Sequence, residues 1–210
     1  MSKTVLFDTD QVQSRAKARQ LQPFKVKQIF FELFKNQNIH REAMTTLSKE
    51  LRADLASTFV PLSLEVTDTV ETEETTKFAF QTQDGQVIEA VLMFHRGEKK
   101  LNRITLCISS QIGCPLNCLF CVTGKLGFQR NLRRDEIISQ ILYANRYVKQ
   151  RFGKKEDGTL RAVRNVVFMG MGEPLLNYEN IIRSIEVMLA QDRLSLGKRH
   201  VTISTAGIIP

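Results

Sequence analysis

From residue 101 onward the chain alternates short apolar runs with amphipathic stretches, and this alternation restricts the fold more than any other feature. RITLCIS (103–109) is a β-rich run that leads into a cysteine-bearing loop. Ile137, Ile138, Ile141, Leu142, Val148 and Phe152 then mark one face of a helix that Gly153 ends. NVVFM (165–169) is a continuously apolar strand of the kind buried on both faces of a parallel sheet. GMGEP follows, and then a helix with Ile181, Ile182, Ile185, Met188 and Leu189 inside and Asn177 as its expected N-cap. HVTIS (200–204) is the third strand and runs into TAGIIP. Strand and helix alternating at this spacing predict an α/β fold with right-handed βαβ crossovers and a parallel sheet. Ligands in such sheets gather at the C-terminal strand ends, where the cysteine loop, GMGEP and STAG all fall.

The first hundred residues read differently. Val26, Ile29, Phe30, Leu33 and Phe34 have the spacing of one helix face, and Leu51, Leu55 and Phe59 follow Ser48, a suitable N-cap. Residues 1–60 are therefore expected to form a small helical domain, with their phenylalanines as core rather than as platforms for nucleobases. Thr76–Gln83 and Gln86–Phe94 flank Asp84-Gly85, a strong hairpin signal, so 61–100 reads as a hairpin and linker into a core of 101–210. The acidic stretch from Glu65 to Glu74 is expected to be a solvated strand or loop. Glu89 interrupts the apolar run VIEAVLMF. It either faces solvent through strand alternation or is placed in a site.

CPLNCLFC (114–121) holds three of the four cysteines in a C-x3-C-x2-C spacing. Structural zinc needs four ligands, commonly from two paired knuckles, and no second knuckle exists. A catalytic dithiol leaves the third cysteine unexplained. A [4Fe–4S] cluster held by three thiolates accounts for the count and leaves one iron open. On spacing alone, cluster, zinc and unrelated thiols all remain open. Read the same way, GMGEP fits a tight turn as well as a site, Ser204 a helix cap, and Cys107 a small buried apolar residue.

The charge is asymmetric. Residues 1–100 carry 14 Lys/Arg against 14 Asp/Glu, and 101–210 carry 16 against 8, so the whole excess of +8 lies in the cysteine-bearing half. That favours a polyanionic partner, although a basic soluble surface gives the same composition. No run approaches the roughly 18 apolar residues of a membrane span and the N-terminus lacks a signal core, so a cytoplasmic protein without a membrane partner is expected.

C-x3-C-x2-C with an aromatic before the last cysteine, here Phe120-Cys121, resembles the signature of radical S-adenosylmethionine (SAM) enzymes. CISSQIGCPLNCLFCVTGKLGFQRNL, NVVFMGMGEPLLNYENI and HVTISTAGIIP, with QPFKVKQIFFELF and DGQVIEAVLM, resemble more closely the radical SAM RNA methyltransferases that modify an adenine carbon. The resemblance implies a partial (β/α)6 barrel and cluster ligation by Cys114, Cys118 and Cys121. It also implies SAM contacts from Gly172, Glu173 and Ser204, a general base at Glu89 and a disulfide-forming Cys107. Ribosomal RNA and transfer RNA are the implied substrates, a flavodoxin or ferredoxin the implied electron donor, and a monomer the implied state. In that family one SAM methylates a cysteine and a second supplies the radical that activates the methyl group, because adenine carbon 2 is too electron-poor for direct transfer. Carbon 2 is the expected target, with carbon 8, a different radical SAM output, or a zinc-bound RNA-binding fragment as alternatives.

The sequence departs from this pattern at one point. No cysteine follows Cys121, so the methyl-carrying thiol and the disulfide partner of Cys107 are absent. Only three core strands precede Pro210. A shortened copy of the enzyme is therefore expected, able to hold cluster and SAM but unable to methylate RNA.

Overall fold

The structure, a computed structural model, describes residues 4–97 and 101–209, with Asn102 described by its backbone only. The boundary expected at residue 100 and the terminal Pro210 lie outside the described residues. The chain begins with β1 (Thr4–Val5), α1 (Thr9–Ala18), α2 (Pro23–Phe30), α3 (Lys49–Thr58) and β2 (Phe59–Val60). Asp8 caps α1 by accepting the Gln11 N–H at 3.2 Å, and Ser48 caps α3 by accepting that of Leu51 at 3.2 Å, as its position predicts. The expected face is buried at Ile29 and Phe30 of α2 and at Leu33 and Phe34 just after it, whereas Val26 is only partly buried. Between α2 and α3 the helix widens into a π-turn over Phe31–Lys35, closed by the Asn36 N–H on the Phe31 carbonyl.

A single six-stranded sheet follows: β3 (Leu64–Glu71), β4 (Thr75–Thr82), β5 (Val87–Arg96) and β6 (Leu101–Cys107), then β9 (Asn165–Phe168) and β10 (Val201–Ile203), in the order β10-β9-β6-β5-β4-β3. Strands β3 to β6 pair antiparallel, whereas β6, β9 and β10 pair parallel. The acidic stretch is the edge strand β3, where solvent tolerates its carboxylates. Between β6 and β9 lie β7 (Gln111–Gly113), α4 (Val122–Lys125), β8 (Phe128–Asn131) and α5 (Arg134–Phe152), with β7 and β8 forming a separate antiparallel pair. α6 (Tyr178–Leu189) connects β9 to β10.

Strand alternation divides the sheet into two faces. Phe78, Phe80, Ile88, Leu92, Phe94, Val166 and Phe168 point to the helical face and are buried. Tyr143 and Tyr147 of α5 meet the Phe78 ring edge-on at 5.3 and 5.1 Å between centroids. Each fully buried apolar side chain contributes roughly 1.5–3 kcal/mol, so α5 is fixed by Ile137, Ile138, Ile141, Leu142 and Val148 together with this partly buried aromatic layer. The opposite face carries Lys77, Glu89, Val91, Cys107 and Val167 and is more open. Helix α5 ends where Gly153 turns to φ +61°, as the sequence predicts.

The N-terminal helices dock beside α5 and α6. Buried Arg193 lies 3.7 Å above the Phe30 ring and donates to Thr9 Oγ1 at 2.7 Å. Lys149 Nζ donates to the Asn36 carbonyl and to Asn38 Oδ1, both at 2.7 Å. The carboxyl of Glu32, 1 % exposed, is opposed by burial, yet hydrogen bonds from Thr46, Asn36 and Asn38 hold its pKa below the usual range. Among the described residues no helix is long and apolar enough to cross a membrane.

Candidate functional site

Because β6, β9 and β10 are parallel, the segments that leave their C-terminal ends emerge at one edge of the sheet. The three expected motifs are those segments. What joins them is a set of buried polar side chains in the segment Ser109-Ser110-Gln111, directly after β6, all exposed by 2 % or less.

Ser109 Oγ donates to the Glu89 carbonyl at 2.6 Å and accepts the Met171 N–H at 2.9 Å, tying β5 to GMGEP. Its backbone N–H and C=O are both taken by the Gln140 amide of α5, at 2.9 and 3.1 Å. The N–H groups of Ser110 and Gln111 converge on the Met171 carbonyl. Gln111 Oε1 accepts the Glu173 N–H at 2.8 Å, and its Nε2 reaches Asn131 Oδ1 on β8 at 2.7 Å. The Glu173 carboxylate is 4 % exposed and accepts N–H groups from Leu175 at 3.0 Å and Ala206 at 2.8 Å. Gly172 sits at φ +100°, and a Cβ there would lie 2.5 Å from that of Gln111, so only glycine lets the loop pass. Ser204, two residues before Ala206, is exposed.

Asn177 is a correction to the sequence reading. It occupies the N-cap position of α6 but makes no capping hydrogen bond. Its Nδ2 instead donates to the carbonyls of Ser110 and Leu132, each at 2.8 Å, so it closes the loops together.

The cysteine loop is an excursion between β7 and β8. Gly113, at φ +71°, packs so closely on the Gly127 carbonyl that an added Cβ would lie 1.6 Å from its oxygen, and the Cys114 N–H donates to that same oxygen at 3.1 Å. Leu119 and Phe120 at the loop tip are each 92 % exposed. Cys114, Cys118 and Cys121 are half-buried free thiols, and among the described residues they are not drawn into a metal-binding group. Backbone donation from Gly124, aided by Thr123, lowers the Cys121 thiol pKa against a smaller opposing effect of burial. The loop contains no carboxylate or imidazole to compete with the sulfurs, a donor set suited to iron–sulfur or zinc binding.

Glu89 and Cys107 share the open face of the sheet. Cys107 pairs across from Val91 on one side and Val167 on the other, which places Glu89 diagonally from it, one pleat nearer the loops. Glu89 Oε1 lies 2.8 Å from Lys77 Nζ, with both side chains about half exposed. The Cys107 thiol is free and half-buried, and burial raises its pKa. The structure thus places Glu89, Cys107, Gly172, Glu173 and Ser204 along one edge and the adjoining face.

Ser109, Gln111, Asn131, Gln140 and Asn177 were not singled out from the sequence as site residues. SSQ is a polar interruption in the apolar run LCISSQIG, and that signal marks Ser109 and Gln111. Nothing comparable marks Gln140 or Asn131.

No family model matches the chain. It is 43% identical over 189 residues to a protein of Aquifex aeolicus called probable dual-specificity RNA methyltransferase RlmN, covering 90% of this chain and 50% of that protein. A protein of the same name from Dictyoglomus thermophilum is 36% identical over 213 residues, covering 100% of this chain and 57% of the relative. A radical SAM methyltransferase structure from Sphaerobacter thermophilus superposes with a TM-score of 0.85 at 35% identity, covering 99% of this chain and 58% of the other. The chain spans about half the length of the curated relatives it matches.

Proposed function

We propose that this chain belongs to the radical SAM RNA methyltransferase family represented by those RlmN proteins and that it serves methyl transfer to an adenine carbon of RNA, carbon 2 in the first instance. Ribosomal and transfer RNA are the proposed substrates, and a small flavin or iron–sulfur protein the proposed electron donor. The observation that carries the reading is that Glu173 and Gln111 lock GMGEP and STAG to the segment that leads from β6 into the cysteine loop.

Cys114, Cys118 and Cys121 would hold a [4Fe–4S] cluster, and the sulfur-only donor set of their loop fits that group. When bound, cluster and SAM together supply one-electron cleavage of the sulfonium bond. Gly172 and Glu173 are the residues proposed to meet SAM, the glycine by letting the loop pass Gln111 and the carboxylate by offering to the ammonium group the lone pairs that Leu175 and Ala206 leave free. Ser204 adds a polar contact on the neighbouring loop. Glu89 lies where a carboxylate can accept the proton leaving the adenine ring, with Lys77 beside it to balance its charge. Cys107, on the same face, is the thiol proposed to close a disulfide late in the cycle. Its partner, and the thiol that carries the methyl group, are not among the four cysteines of this sequence once the loop cysteines are assigned. The parallel strands β6, β9 and β10 would then be half of a partial (β/α)6 barrel whose inner wall is the open face. Residues 1–60 would form an accessory helical domain and 61–100 an extension of the barrel wall.

The test is calorimetric titration of SAM into the anaerobically reconstituted chain. Saturable binding that weakens at least tenfold in Glu173→Gln supports the reading. Absence of SAM binding to a chain that holds a cluster contradicts it.

A further inference from the structure

The phenylalanines of the first helical segment divide into two sets. Phe30 and Phe34 are core, whereas Phe24 and Phe31 are 52 % and 53 % exposed. Helical spacing makes this division: Phe24 and Phe31, seven residues apart, share the outer face, and Phe30 and Phe34, four apart, share the inner one. Phe24 and Phe31 flank a cavity of about 440 Å³ lined also by Lys27, Gln28 and Thr46. Its floor is held in place, since Thr46 donates both its N–H and its hydroxyl to the buried Glu32. Lys25 Nζ stands 4.9 Å from the centre of the Phe24 ring. Gln28 also lines the cavity, but its Oε1 is buried without a hydrogen-bond partner and does not face the opening.

We infer that this cavity is a binding site for unpaired RNA bases, separate from the strand-end site and resting on the proposal that RNA is the substrate. Exposed aromatic rings accept bases of any identity by stacking, and neighbouring lysines neutralise the phosphates between them. Phe24 and Phe31 are seven residues apart, about 10.5 Å along a helix axis, more than the two stacking steps of about 3.4 Å that would clamp one base. Each ring therefore takes its own base, with Lys27 between them for the connecting phosphate. Binding here orders single-stranded RNA beside the enzyme and leaves the reacting base to the other site.

The test uses the folded chain, short single-stranded RNA oligonucleotides and the corresponding duplex. Ultraviolet cross-linking with peptide mass spectrometry should map adducts to Phe24 or Phe31 with the single strand and not with the duplex. Phe24→Ala and Phe31→Ala should each weaken single-strand affinity roughly tenfold. Phe24→Leu and Phe31→Leu, which keep apolar bulk without a flat ring, should lose about as much. Leucine variants that bind like the parent, or alanine variants with unchanged affinity and no mapped adducts, would overturn the inference. A chain that fails to hold a cluster but still cross-links at these rings leaves the inference standing while the enzymatic reading falls. A chain that holds a cluster and shows no such adducts overturns the inference alone.

Discussion

Glu173 accepts the backbone N–H of Ala206 at 2.8 Å, across 33 residues of sequence, so the loop after β9 holds the loop after β10. Its other oxygen holds Leu175, and its own N–H is held by Gln111 from the loop after β6. One residue thus fixes the spacing of all three strand-end segments, and the site depends on its carboxylate before any ligand binds.

Replacing Glu173 with alanine should leave the amides of Leu175 and Ala206 without acceptors, at a cost of about 1–3 kcal/mol for each one that stays dry. Hydrogen exchange at Ala206 should accelerate most. Glu173→Gln retains one acceptor oxygen and should show the smaller change. Equal exchange at Ala206 in parent and alanine variant would mean that the contact does not order the loop.

Gly172→Ala puts a side chain at φ +100° and a Cβ 2.5 Å from that of Gln111. Strain and collision together should cost at least ~2 kcal/mol in denaturant unfolding. Gly85 also has positive φ, +79°, but nothing lies near its would-be Cβ, so Gly85→Ala isolates the strain. The Gly172 variant should be clearly the less stable of the two.

Arg130 on β8 grips two carboxylates, Asp84 at the β4–β5 turn and the fully buried Glu136 of α5, through contacts of 2.7–2.8 Å. Arg130→Ala strands Glu136 and should cost about 2–4 kcal/mol, softened because Arg133 remains 3.4 Å away. Asp84→Asn breaks only the half-exposed contact and should cost under ~1 kcal/mol. Hydrogen bonds from Arg130 and then Thr82 hold the Asp84 carboxyl well below the usual range. Its contribution is therefore present above the unfolded carboxylate pKa of ~4 and is lost as pH falls toward the folded value. Urea unfolding from pH 6 down to pH 2 should show a shallower acid loss in Asp84→Asn than in the parent. Parallel curves would remove Asp84 from the account.

Much of this was legible from periodicity. The strands β6, β9 and β10 and the helices α5 and α6 stand where apolar spacing puts them, because each buries one face against a neighbour whose pattern is equally plain. Ser48 and Gly153 announced their helix ends through residue chemistry that needs no tertiary context. Asn177 did not, because its amide is claimed by Ser110 and Leu132, which only the folded chain brings near. The short pair β7–β8 escaped notice since three or four residues carry no readable period, and α1 because it buries only Val12 and Ala16. The convergence of the motifs followed from parallel strands. The wiring through Gln111, Gln140 and Arg130 did not, because its partners lie 6–62 residues apart and share no pattern.

The most direct test of the account is the iron and acid-labile sulfide content of the anaerobically reconstituted chain, beside that of Cys118→Ala. The account predicts about four irons and four sulfides per chain in the parent, and loss of the cluster in the variant. One zinc with no labile sulfide, or iron retained undiminished by Cys118→Ala, would contradict it.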